Sequence, residues 1–213
     1  MQWNWTAEKT AQWLQPAIEV PYLALRWHQQ GFHDFLDNGC GPGRHAMFFA
    51  AQGFGVTALD QSEQALDYLQ NWAKQDGLSV NPVKGDLFQM PFAPDSFDCI
   101  MDYNASYHTD TAGYRQAIAQ MRRVLRPGGE VYLTLLSQND PGFRSAPPES
   151  HTDQYTLLHE GGTPHFYGRQ EDFPELFLGF SMAMPPAESS VRRARKAPSR
   201  PAGKAAWSRI SAP

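Results

Sequence analysis

The chain has 213 residues, 41 % hydrophobic and 13 % aromatic, with a formal charge of −4. That length suits one domain with a sizeable core, and no apolar run reaches the ~18 residues of a membrane span. The charge is uneven, because residues 181–213 sum to +6 and the preceding 180 to −10. An acidic body disfavours a nucleic-acid partner, since phosphate contacts need Lys and Arg. Cys40 and Cys99 form no CxxC pair, so neither a zinc site nor a disulfide framework is suggested. The chain opens without a basic region leading into an apolar stretch, so a cytoplasmic setting and no membrane partner are expected.

Residues 6–30 read as helical. Phe35-Leu36-Asp37 reads as a short strand running into Gly39-Cys40-Gly41-Pro42-Gly43. A helix follows with Ala46, Phe49 and Ala50 at helical spacing, and Gly53 and Gly55 mark its end. Val56–Leu59 forms the second strand, closed by Asp60. Ser62 is placed to cap a helix that sets Ala65, Leu66, Leu69, Trp72 and Ala73 on one face. Residues 80–84 form a third strand, which Pro82 assigns to an edge. Residues 97–102 form the fourth strand. Tyr114, Ala117, Ile118, Met121, Val124 and Leu125 give an amphipathic helix, stopped by Arg126-Pro127-Gly128-Gly129. Val131–Leu136 is nearly continuous in apolar residues, as a buried parallel strand should be.

Strands alternating with helices predict an α/β fold, a three-layer Rossmann-like sandwich around a mostly parallel sheet. Residues 1–180 are expected to form the domain, with 1–30 as a helical cap and 137–168 as a lid-like connection. A long connection inside a compact domain is usually functional. A short helix reads over 170–178. From about residue 182 the composition turns to Ala, Pro, Ser and Arg. The basic tail 181–213 is therefore expected to be disordered, with the final strand hairpin missing or replaced. The alternative is a basic arm for RNA or an acidic membrane.

The residues with chemistry cluster after the strands. Glycines at alternate positions let backbone approach a ligand closely, and the helix behind them favours an anionic group. A tight turn alone would use the same glycines. Asp60 stands 17 residues after Gly43, where a carboxylate can accept from both hydroxyls of a ribose; a capping or surface acid is the plainer reading. Together they indicate a nucleoside ligand. The spacing is G-x-G-x-G, not the G-x-G-x-x-G of a nicotinamide site, and Asp37 suits a cationic ligand end. That disfavours an NAD-dependent oxidoreductase.

Leu36–Arg44, Ala58–Ser62, Gly85-Asp86-Leu87, residues 91–98 and Arg123–Gly129 resemble, in order and near the usual spacing, the motifs of class I S-adenosylmethionine-dependent methyltransferases. Within that class the chain is most similar to the small bacterial type 11 or tellurite-resistance-like group. The resemblance implies S-adenosyl-L-methionine as cofactor. Asp37, Gly39, Cys40, Gly41 and Gly43 would hold its methionine end, and Asp60 the ribose. Gln61, Asp86 and Leu87 would surround the adenine, with Tyr103 near the sulfonium. Asp86 also reads as an ordinary turn acid.

The segment Tyr103-Asn104-Ala105-Ser106-Tyr107-His108-Thr109 would face the methyl acceptor. Catalytic roles fall on His108, Tyr103 and Asn104, with His108 as a base or as a structural histidine. No Pro-Pro follows Asn104, which weakens a DNA-amine substrate. His151, His159 and His165, near Asp153 and Glu160, match no zinc spacing, so no metal is expected. They would line the acceptor pocket, with Tyr155, Phe166 and Tyr167 as apolar walls or as core. The expected function is methyl transfer to a small-molecule acceptor. The alternative is a non-catalytic S-adenosylmethionine-binding sensor or scaffold.

Overall fold

The computed structural model describes residues 13–159, 161–189 and 205–211; for 184–189 and 205–211 it describes the backbone alone. Helix α1 (Val20–Gln29) leads into β1 (Asp34–Asn38), α2 (Arg44–Ala51), β2 (Gly55–Asp60), α3 (Glu63–Asp76) and β3 (Val80–Lys84). Then come β4 (Phe97–Asp102), α4 (Thr111–Val124), β5 (Leu125–Ser137) and the short α5 (Pro141–Ser145). The chain continues through β6 (Thr156–Leu158), β7 (Pro164–Gly168), α6 (Phe173–Leu176), β8 (Ser181–Ser189) and β9 (Ala205–Ser211).

The sheet runs β3-β2-β1-β4-β5, all parallel, with β3 at the edge where Pro82 places it. Parallel strands joined by helices send the loops after β1, β2 and β4 to one edge, where α/β folds bind ligands. Two cores cover the sheet. Trp27, Phe35, Phe49 and Leu69 join α1, α2 and α3 on one face, and Leu36, Ile100, Tyr114 and Phe173 join α4 and α6 on the other. The mostly parallel three-layer architecture is the expected one.

Local chemistry sets the helix ends. Ser62 caps α3 by accepting the Ala65 amide at 3.3 Å, and Asp110 caps α4 by accepting the Gly113 amide at 2.8 Å. Gly77 ends α3 at φ +66°, a conformation that costs a Cβ-bearing residue strain. Leu125, read as the last turn of α4, instead opens β5, and a register shift between Phe97 and Cys99 absorbs the Pro127–Gly129 segment.

Two expectations change. The helical reading of 6–30 holds for Val20–Gln29, whereas residues 13–19 are turns and irregular backbone and 1–12 lie outside the described residues. The connection 137–168 contains structure of its own: α5 and a β6–β7 hairpin, with Thr156 opposite Phe166. Strand β7 even joins the main sheet, pairing parallel to β5 through Leu136↔Tyr167 and Ser137↔Gly168. Its short, polar strand segments give no clear period-2 signal.

At the C-terminal end, expected to be disordered, β9 pairs antiparallel with β5 from Glu130↔Ser211 to Leu136↔Ala205, and β8 pairs with β9. Composition speaks to side-chain burial, but the open amides and carbonyls of β5 recruit backbone whatever the side chains. Residues 190–204 and 212–213 of that tail lie outside the described residues.

Candidate functional site

The glycine loop follows β1 and is strapped to β2. Gly39 and Cys40 both donate their amides to the Leu59 carbonyl, at 2.8 and 3.0 Å. Gly39, Gly41 and Gly43 have φ of +70°, +54° and +89°, which L side chains rarely adopt. Gly43 then caps α2 in the left-handed conformation. The α2 N-terminus therefore meets the loop with its dipole pointed at the strand ends.

Two acids, Asp37 buried and Asp60 part-buried, brace this loop. Asp37 accepts the Ala46 amide at 2.9 Å, near the start of α2, and burial raises its carboxyl to about 7. Asp60 ends β2, where one oxygen accepts the Gly41 amide and the other the Ser62 amide, each at 2.8 Å. Burial raises its pKa, against the pull of the Ser62, Gly41 and Gln61 amides. Each oxygen has a second acceptor position, and Asp60 is only part-buried, so a diol can reach it.

Gly85 ties β3 to the same edge by donating to the Asp60 carbonyl at 3.1 Å. Asp86 beside it is exposed and accepts the Phe88 amide at 2.9 Å, while Leu87 packs partly buried on the core. Gln61 lies part-exposed next to Asp60. Cys40 is buried and its thiol, donating to the Gly41 carbonyl, is pushed well up by burial and then by Asp37 and Asp60. It packs the loop and is no thiolate nucleophile.

The segment after β4 closes the site from the other side. The Arg44 guanidinium lies over the Tyr103 ring at 5.0 Å and over Trp13 at 4.6 Å. His45, buried on α2, is 4.9 Å from Tyr103 and accepts the Ala17 amide at 3.3 Å. Residues 13–17 thus reach the site, whereas α1 beyond them runs away along the sheet to Glu130 at the far end of β5. Glu130 there accepts from Arg26, from Trp27 at 2.9 Å and from Gln30 at 3.1 Å. Tyr22 is 51 % exposed on α1. Trp3 and Trp5, read as pocket cover, lie outside the described residues.

Asn104 has φ +56°, and both its amide and its side-chain oxygen engage Thr134 of β5, at 2.8 and 3.1 Å. It fastens the loop to the sheet. Asp102 does the same from the end of β4, accepting both the amide and the hydroxyl of Ser106; it is fully buried, and burial raises it to about 7. Sequence patterns assign no role to Asp102, Ser106, Thr134 or His45. The available signal is an acid two residues after Ile100, on the apolar face of a buried strand.

His108 is part-buried, and its Nδ1 is 2.8 Å from Nε2 of His165 on β7. Burial, and then its neighbour, lowers His108 to about 4, and burial lowers His165 to about 4. Both are neutral at pH 7. His159 meets His165 with ring centroids 4.0 Å apart and contacts the Tyr167 hydroxyl at 2.8 Å. Tyr155 and Phe166 are core, not pocket wall: Phe166 is fully buried and stacks on Tyr114 at 4.0 Å. A cavity of about 600 Å³ opens beside the ends of β5 and β7, lined by Ser137, Asn139, Phe143, Arg144, His151 and Arg169 among others. Among the described residues no cluster of three or more His, Cys, Asp or Glu could hold a metal, and no helix is long and apolar enough to cross a membrane.

The family described as "Methyltransferase domain" matches residues 35–129, from the first residues of β1 to the turn inside β5. A sterol 24-C-methyltransferase of Gibberella zeae is 36 % identical over 114 residues, covering 51 % of this chain and 29 % of its own. A malonyl-[acyl-carrier protein] O-methyltransferase of Enterobacter lignolyticus is 32 % identical over 125 residues, covering 58 % of this chain and 47 % of its own. The chain spans less than half the length of either. The structure of TehB from Haemophilus influenzae superposes with a TM-score of 0.69 at 13 % identity, over 93 % of this chain and 63 % of that one. The glycine loop and the strand-terminal Asp60 that braces it both lie within the matched residues. Over residues 35–129 the chain is thus similar to methyltransferases, and it shares their Rossmann-like fold.

Proposed function

We propose that this chain transfers a methyl group from S-adenosylmethionine to a small-molecule acceptor. The observation that carries this reading is the double anchoring of Asp60, which aims a carboxylate across the glycine loop beside an α2 N-terminus. The donor set fits the cofactor. Asp60 would hold the ribose hydroxyls, and the amides of the loop and α2 the methionine carboxylate. Asp37 would face the ammonium through the loop backbone that it braces. Asp86 would accept from the adenine amino group, with Leu87 and Gln61 against the ring.

Bound S-adenosylmethionine supplies a methyl group activated on sulfonium. The protein's own part is alignment and exclusion of water. Tyr103 offers a ring face that attracts cations, as its contact with Arg44 illustrates. Asn104 and Asp102 fix the loop that carries His108, and neutral His108 can take a proton from the acceptor. The acidic body, at −10 without residues 181–213, repels phosphate backbones and favours a compact acceptor over nucleic acid. The relatives named above for a sterol and for malonyl-[acyl-carrier protein] support an acceptor other than nucleic acid.

The test incubates the protein with methyl-labelled S-adenosylmethionine and, separately, bulk DNA, RNA, cell protein and a low-molecular-weight extract. Label is expected in the small-molecule fraction. Label confined to a polymer fraction overturns the substrate class, and label in none overturns the enzymatic reading in favour of a binding protein.

A further inference from the structure

We propose that His165, on the β6–β7 hairpin, is a positioning residue that holds the proton of His108 on Nδ1 and leaves the basic lone pair on Nε2. The proposal rests on the reading of His108 as the base.

Donors and acceptors decide the tautomers. His165 Nδ1 lies 3.2 Å from the Thr163 carbonyl, which can only accept. Nδ1 of His165 therefore carries the hydrogen. A neutral imidazole has one N–H, so Nε2 of His165 is an acceptor. It stands 2.8 Å from His108 Nδ1, which must then be the donor. With its single hydrogen on Nδ1, neutral His108 has its lone pair on Nε2. The opposite arrangement would set a bare His165 Nδ1 against the Thr163 carbonyl, lone pair to lone pair. Low basicity of both buried rings keeps each neutral at pH 7.

The pairing does not depend on two side chains finding each other. The Phe166 amide, next to His165, donates to the Tyr107 carbonyl, next to His108, at 2.8 Å. That main-chain bond registers the hairpin against the loop. His159 packs its ring on His165 from the other side and is itself held by the Tyr167 hydroxyl. Proton uptake at His108 Nε2 gives an imidazolium whose Nδ1–H already has a neutral acceptor. The resulting hydrogen bond is charge-assisted and stronger than the one it replaces. The Nδ1–H of the imidazolium keeps its acceptor without movement of either ring.

Nitrogen NMR of the full chain, labelled with ¹⁵N-histidine at pH 7.5 and assigned by single substitutions, reads the tautomers directly. Free histidine favours the Nε2–H form, so Nδ1–H at both His108 and His165 is the diagnostic result. In His165→Ala, His108 should move toward Nε2–H. In His165→Gln, whose amide oxygen can accept from Nδ1–H, it should stay. His108 found as Nε2–H in the wild type, or unchanged Nδ1–H in His165→Ala, overturns the proposal. With an acceptor from the fraction screen, His165→Ala should lower kcat tenfold or more at unchanged S-adenosylmethionine affinity, and His165→Gln should restore most of it. Fixed tautomers with full turnover in His165→Ala would overturn the positioning role. Full turnover in His108→Ala would instead sink the base assignment while leaving the tautomer result intact.

Discussion

Gly39 and Ala105 approach so closely that a Cβ built on the glycine would stand 2.4 Å from the alanine Cβ. The first glycine of the cofactor loop is therefore a packing surface for the loop after β4. Its left-handed φ of +70° adds strain for any side chain. Gly39→Ala should drive the two loops apart, destabilising the fold by roughly 1–3 kcal/mol and weakening S-adenosylmethionine binding. Gly128→Ala is the control, with φ +77° but nothing within 4 Å of the new methyl. Urea denaturation should show the larger loss for Gly39→Ala, and calorimetry should show a binding loss for that variant alone.

Asp60→Ala removes the acceptor proposed for the ribose and the anchor of Gly41. S-adenosylmethionine and S-adenosylhomocysteine should each lose roughly 1.5–3 kcal/mol of affinity, on the order of 10- to 100-fold. The wild type should bind NAD much more weakly than either. Calorimetry with NAD binding equal or tighter would overturn the ligand assignment.

Asp102 ties stability to pH. Its folded-state pKa of about 7 lies above the ordinary aspartate value of 3.8, so the folded protein holds a proton that the unfolded chain has lost between those limits. Stability contributed by this group is highest below about pH 4 and declines as pH rises toward 7. Asp102→Asn keeps an acceptor for the Ser106 amide and abolishes the titration. At pH 8 it should be more stable than the wild type by roughly 1–3 kcal/mol, the difference vanishing near pH 4. A constant difference across that range in guanidinium melts would refute the assignment. Asp37, also raised to about 7, leaves the variant a residual slope of the same sign.

Glu130 is 3 % exposed and collects Arg26, Trp27 and Gln30 from one face of α1. Glu130→Ala strands the buried Trp27 N–H and should cost roughly 2–4 kcal/mol. Thermal melts of Glu130→Ala and Glu130→Gln check this, the Gln variant retaining an acceptor and falling between.

The pairing of β9 with β5 on one side and β8 on the other predicts slow hydrogen exchange for amides across Ala205–Ser211. Exchange at unprotected rates through this segment would return β5 to an open edge.

Much of the fold is legible in the order of residues alone. Strict alternation of strand and helix sets the layers, and Pro82 puts β3 at the edge. Asp60 is visible because a polar residue closing an apolar strand has few reasons to be there. Other parts depend on partners distant in sequence. Asp102 acts on Ser106 and Asn104 on Thr134, and no local pattern announces a bond to another strand. His165 stands out only as a histidine; its pairing with His108 depends on a hairpin too short for periodicity to reveal.

The hairpin carrying His165 is continuous with the sheet through Tyr167 and with the loop after β4 through Phe166. A flap hinged at both ends could swing clear to admit a reactant, but one stitched along its length cannot do so without breaking main-chain bonds. On the proposed function, reactants would instead pass sideways, through the opening between Asn139, Arg144 and Arg169. Substitutions at that rim would alter which molecules enter and how fast products leave, while the geometry of the reacting centre stays as it is.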